Sequence, residues 1–325
     1  MVHVTSRIFV SLIVLLSLTF SSCNRQSDDT SRHTAYVAFA GSLAVVNDQE
    51  VGPAFSHATG YGYQSHAGGS FGVANLILSQ EISPNVFESV GLAPIAKLDP
   101  RFTTWAIGFA TQPLVVAYSP QGPFSAKLKA IADGKLPFST LFTIMAQPGF
   151  HLGRTNPETD PQGQAFIIML KLAVQRYHLS PTLMTSILGH DDNPEQIFAE
   201  TALVSRLQAG QLDAASAFLP QALQNHLHYL TLPDEINLGN PTMADIYATQ
   251  GVTLKQGRQV GTPLVLYVCP VKGTPSPEAG LSFIRYLLSP AGKALYQKNG
   301  YQLIKPRIVG GTQSLPADIY AELLQ

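Results

Sequence analysis

Short apolar runs alternate along the chain with longer stretches in which apolar residues return every three or four positions. Residues 35–40 form one such run; it ends in Gly41-Ser42 and leads into an apolar-spaced segment, which predicts strand, turn, helix. Residues 61–65, Gly68-Gly69-Ser70 and residues 73–78 repeat the arrangement. Three further β-rich runs lie at 105–111, 113–118 and 264–271. Helical spacing is predicted over 126–133, 164–177, 203–209, 243–249, 278–288 and 291–298. Leu281, Phe283, Ile284, Tyr286 and Leu287 fall on one stripe and are expected in the core. From Pro306 the tail reads as turn-rich, with a short helix near 315–324. The alternation predicts an α/β protein with mostly parallel sheets.

The amino terminus follows a different rule. Arg7 closes a short basic region, residues 8–20 are apolar, and Ser21-Ser22-Cys23 follows, which reads as a secretory leader over 1–22. The run contains Ser11, Ser17 and Thr19 and is too short for a membrane span, which needs about 20 predominantly apolar residues. Phe20-Ser21-Ser22-Cys23 resembles the lipobox of bacterial lipoproteins, so Cys23 is expected to carry a lipid at the start of the mature chain. Residues 23–34 are polar and read as a flexible tether. An extracytoplasmic protein anchored to the membrane surface is expected.

Composition narrows the function classes. With 325 residues, 45% hydrophobic and 13% charged, the chain has enough apolar material for two folded lobes. Its 20 Lys+Arg against 21 Asp+Glu give no basic excess for nucleic acid. Cleavage after Ser22 removes Arg7 alone of the basic residues, leaving 19 against 21. Cys23 and Cys269 match no zinc, redox or disulfide spacing. His57, His66 and His151 lack metal-ligand spacing, and no nucleotide-binding loop is present, so no cofactor is expected.

Candidate chemistry sits where strands hand over to helices. Ser42 and Ser70 are each placed to offer a hydroxyl and neighbouring backbone N–H groups to an anion, or to cap their own helices. Asp160 before Pro161 is an N-cap and first-position pair, so Asp160 has a structural explanation as well as a ligand-binding one. Glu200 lies at the start of the 203–209 helix, where an acid suits the dipole. Gly68-Gly69-Ser70-Phe71-Gly72 also fits the G-x-S-x-G nucleophile elbow of serine hydrolases, with His190, His226 and His228 downstream as possible bases. Only one strand and one helix precede Ser70, and no upstream His-Gly-Gly oxyanion segment exists, which counts against an enzyme.

The segments together resemble the tungstate/molybdate-binding proteins of ABC importers, which have the two-lobed type II periplasmic-binding-protein fold. The resemblance spans about 36–306 and rests on Ala40-Gly41-Ser42-Leu43, Gly69-Ser70, Phe109-Ala110-Thr111-Gln112 with Val115-Val116-Ala117-Tyr118, and Asp160-Pro161-Gln162-Gly163. Gly210-Gln211-Leu212-Asp213, Leu232-Pro233-Asp234-Glu235-Ile236-Asn237-Leu238 and Leu287-Leu288-Ser289-Pro290-Ala291-Gly292 continue it. It implies an oxyanion held between the lobes by Gly41, Ser42, Ser70, Asp160, Pro161, Gln162 and Glu200, with Asp160 and Glu200 coordinating the Mo or W centre directly. The family's binding Tyr falls on Phe218, and the second strand motif that ends in Ala-Asp reads Val-Phe-Glu-Ser-Val at 86–90. Sulfate cannot expand its coordination and would meet two unpaired like charges. Phosphate remains the alternative, with one acid accepting a proton from hydrogen phosphate. The expected organisation is lobe 1 over 35–112, lobe 2 over 113–266 and lobe 1 again over 267–325, closing by a hinge at the two crossings. A monomer that hands its ligand to the importer's permease is implied, with no chemical step.

Overall fold

The computed structural model describes residues 33–255 and 257–323. The leader, Cys23 and all but the last two residues of the tether lie outside the described residues. Among the described residues twelve strands form: β1 (Thr34–Ala40), β2 (Gly62–Gly68), β3 (Val86–Val90), β4 (Trp105–Thr111), β5 (Leu114–Tyr118), β6 (Leu152–Gly153), β7 (Ala214–Phe218), β8 (His228–Thr231), β9 (Gly251–Leu254), β10 (Gly257–Val260), β11 (Val265–Pro270) and β12 (Gln302–Gly310). Two α/β lobes result. A six-stranded sheet in the order β12-β4-β11-β3-β1-β2 carries one, a four-stranded sheet in the order β6-β7-β5-β8 carries the other, and β9-β10 is a separate hairpin.

The sheets are mixed, which corrects the expectation of mostly parallel ones. β1 runs parallel to β2 and β3, and β6 parallel to β7. Every other pairing between these strands is antiparallel. The cause is the double crossing: β11 returns from the second lobe and inserts between β3 and β4 against their direction. β12 then adds at the edge. The tail expected to be turn-rich from Pro306 is this edge strand, with a register shift between Leu303 and Arg307. Alternating exposure leaves it little of the apolar signal that marks β1, β3 and β4.

The two crossings lie side by side. β4 ends at Thr111, Gln112-Pro113 leads into β5, and β11 starts at Val265, just ahead of the restart expected at 267. The Gln112 N–H donates to the Leu264 carbonyl at 3.1 Å, tying the outgoing strand to the returning one. Helices of the expected periodicity cover both sheets. The stripe on the helix Pro277–Leu288 buries Phe283, Ile284 and Leu287, with Leu281 and Tyr286 packed against the same core. Ser289 caps the next helix, Pro290–Lys298, accepting from the Gly292 N–H at 3.3 Å. Among the described residues no helix is long and apolar enough to cross a membrane.

Candidate functional site

In the first lobe the strand order reverses at β1: the chain runs from β1 to β2 on one side, then to β3 on the other. Crevices beyond the carboxyl ends of strands at such a point are ligand sites in open α/β sheets. Ala40 pairs with Gly68 at the ends of β1 and β2, so the turns that follow emerge together. One is the 3-10 turn Gly41–Leu43; the other is Gly69 and the start of the helix Ser70–Leu78. The Ser42 Oγ accepts a hydrogen bond from Gln112 Nε2 at 3.2 Å, and Ser70 Oγ accepts from the Val90 N–H at 3.1 Å. A hydroxyl that accepts in this way keeps its own proton to donate. Tyr301 fixes the first turn from behind, its hydroxyl donating to the Ser42 carbonyl at 2.7 Å.

The second lobe brings two acids. Asp160 N-caps the helix Pro161–Arg176: its Oδ1 accepts from the Gln162 N–H at 2.8 Å, while Pro161 occupies the first turn, where it forfeits no helix bond. Gly163 is required there, because a Cβ would collide with the Thr155 carbonyl as the helix packs on that loop. Glu200 opens the helix Glu200–Gln208. Its Oε1 accepts from Gln162 Nε2 at 2.9 Å, and the Ser42 backbone N–H bonds the same carboxylate from the opposite lobe. Gln162 is committed to the protein: Nε2 also reaches Gln221 Oε1 at 3.2 Å, and Oε1 accepts from Ser216 Oγ at 2.8 Å.

The lobes meet closely over this ground. A Cβ on Gly41 would collide with the Glu200 carboxylate, and one on Gly69 would lie 2.7 Å from the Thr159 carbonyl oxygen and 3.2 Å from Asp160 Oδ2. The Gly72 N–H donates to the same Thr159 carbonyl at 3.1 Å. Between them lies a cavity of about 360 Å³, walled by Gly41, Gly68 and Gly69 from one lobe and by Thr155, Asp160, Phe198 and Glu200 from the other. Burial raises the pKa of the Asp160 carboxyl, against the pull of the Gln162 N–H. Burial and then the neighbouring Asp160 charge hold the Glu200 carboxyl well above its usual range, opposed by the Ser42 N–H. Among the described residues neither acid has a Lys, Arg or His partner.

The sequence-predicted residues thus divide. Gly41, Asp160 and Glu200 line one cavity, Ser42 and Ser70 lie one residue from its wall, and Gln162 holds Glu200 in place. Pro161 lines a second, more apolar interlobe cavity of about 330 Å³ beside the crossings. Phe218 ends β7 within the apolar core and is not among the cavity residues. Gln112, Ser216, Gln221 and Tyr301 were not legible as site residues; each is a buried polar side chain whose role depends on a partner far away in sequence. The three histidines of the hydrolase reading stand away from the site. His190 pairs with Asp192 on an exposed loop, His226 and His228 are exposed, and the Ser70 hydroxyl bonds a backbone amide.

Two α/β lobes joined by a double crossing, with serine-bearing turns and acids meeting across the cleft, are the architecture of proteins that hold a solute between their lobes. The chain belongs to the bacterial extracellular solute-binding proteins, whose family model matches residues 35–302. A Thermococcus kodakarensis protein described as molybdate/tungstate-binding protein WtpA is 24% identical over 336 residues, covering 95% of this chain and 92% of that protein. A Petrotoga mobilis solute-binding protein is 28% identical over 213 residues, and the match spans 64% of each chain. In fold, the chain is similar to the periplasmic molybdate-binding protein of Azotobacter vinelandii, with a TM-score of 0.59 at 20% identity over 83% of this chain and 99% of that one.

Proposed function

We propose that this chain is the capture component of an ABC importer and that its cargo is a tetrahedral oxyanion, tungstate or molybdate. The observation that carries the reading is the pair of buried carboxylates, Asp160 and Glu200, which line one interlobe cavity with no Lys, Arg or His partner among the described residues. Two such acids repel a simple dianion. They suit an oxyanion whose metal centre takes them as additional oxygen ligands, raising its coordination from four to six. The Ser42 and Ser70 hydroxyls and the backbone N–H groups of their turns then serve the anion's own oxygens. Sulfate offers no centre to coordinate, so the same acids exclude it. The names of the Thermococcus relative and of the Azotobacter structure agree with this cargo.

Closure at the two crossings brings Glu200 against the Gly41-Ser42 turn and Asp160 against Gly69. In this reading the loaded monomer is presented to the permease, and lipidated Cys23 keeps it at the membrane surface. The coordination itself is tested by tungsten X-ray absorption on the protein loaded with tungstate. Six oxygen neighbours, falling to four in the double variant Asp160→Asn, Glu200→Gln, are expected. Four neighbours in the wild type would remove the direct-coordination reading and leave hydrogen bonding alone, the arrangement a phosphate binder would share.

A further inference from the structure

Gln112 sits at the first crossing, directly after β4, and is fully buried. Its Nε2 donates to Ser42 Oγ at 3.2 Å, whereas its Oε1 is buried with no hydrogen-bond partner. Native proteins rarely leave a buried amide oxygen unpaired. Here the orphan lies next to the Gly41-Ser42 turn, whose backbone N–H at Ser42 reaches Glu200 across the cleft. The Ser42 hydroxyl can donate as well as accept. The amide can therefore turn over about its last torsion, which is roughly two-fold, and keep its bond to Ser42 with the roles exchanged. Ser42 Oγ–H then donates to Oε1, and Nε2 takes the place of the orphan oxygen. An unpaired acceptor, useless to an oxyanion, becomes an unpaired donor.

We propose that Gln112 is a further ligand-binding residue, its side-chain NH₂ donating to an oxygen of the bound oxyanion beside Ser42. The inference rests on the oxyanion reading above and refines it: the Ser42 proton goes to Gln112 Oε1, and the two N–H groups of the amide take the hydroxyl's place at the anion. It also carries the ligand's contact to the hinge. Gln112 N–H is bonded to Leu264 on the returning crossing, so the same residue touches ligand and both connecting strands.

Two measurements decide it. In the wild type, the Gln112 side-chain NH₂ signals, assigned through bonds in ¹H–¹⁵N spectra, are expected to shift and exchange more slowly with solvent on saturation with tungstate. By calorimetry, Gln112→Met is expected to lose roughly tenfold to a hundredfold in tungstate affinity. Gln112→Glu should lose more, because its carboxylate still accepts from Ser42 but faces the anion with like charge. NH₂ signals unmoved in the saturated wild type, or an unchanged affinity in Gln112→Met, would overturn the assignment while leaving the oxyanion reading intact. Should Gln112→Met fail to fold, the wild-type spectrum alone decides. A wild type that binds no oxyanion would remove the functional reading and this inference together.

Discussion

At Asp160 the two carboxylate oxygens face different tasks: Oδ1 caps the helix Pro161–Arg176, and Oδ2 points across the cleft to Gly69. The substitution series separates them. Asp160→Asn keeps a good N-cap and removes one of two like charges, so the ligand-free protein should gain stability at pH 8, read as a higher urea midpoint. Tungstate affinity should fall at least about tenfold. Asp160→Ala should lose the cap as well, costing about 1 kcal/mol relative to Asp160→Asn. A loss of stability in Asp160→Asn would contradict the like-charge account of the pair. The capping role was legible from Asp-Pro alone. The facing of Glu200 was not, because its partner Gln162 and the Ser42 N–H come from elements 38 and 158 residues away in sequence.

Among the elements, the two glycine turns are the parts that the opposite lobe meets most closely. Gly69 has φ −60° and ψ 134°, a conformation any residue adopts, so the opposite lobe, not the backbone, demands its missing side chain. Gly69→Ala should therefore leave each lobe folded, with ligand-free stability within about 1 kcal/mol of wild type. It should weaken tungstate binding and reduce the ligand-induced compaction seen by small-angle scattering. Full compaction in Gly69→Ala would show that the cleft closes without this contact. The same contrast explains which elements the chain's pattern reveals. β1, β4 and β5 are continuous apolar runs because both faces are covered, and the helix Pro277–Leu288 keeps one clean apolar stripe. β12 alternates at an exposed edge, β8 and the β9-β10 hairpin are short and largely exposed, and β3 carries a buried Glu88 that breaks its apolar run. The signal is weak where a strand is short or largely exposed and where a buried polar side chain interrupts an apolar run.

For the whole molecule, that buried Glu88 sets a pH response. It accepts from Asn47 Nδ2 at 2.9 Å and from the Tyr296 hydroxyl at 2.6 Å, yet burial outweighs both bonds and pushes its carboxyl up to about 7. A folded-state value above the unfolded one means that the stability is fully present below about pH 4.5 and is lost as pH rises toward 7. The loss amounts to about 3 kcal/mol. Asp160 and Glu200 act in the same direction. Denaturant midpoints should fall from pH 5 to pH 8, and Glu88→Gln should flatten that slope. An unchanged slope would mean that the Glu88 charge is compensated in the folded protein.

In the proposed reading the paired carboxylates Asp160 and Glu200 select an oxyanion with a coordinating metal centre. Calorimetric titration of the leaderless protein with tungstate, molybdate, sulfate and phosphate tests that selection. Tight binding of tungstate or molybdate, with none of sulfate or phosphate, is the predicted result, and Glu200→Gln should weaken it sharply. Binding of phosphate or sulfate in preference to tungstate would contradict it, because the two acids would then be tolerating a simple tetrahedral anion.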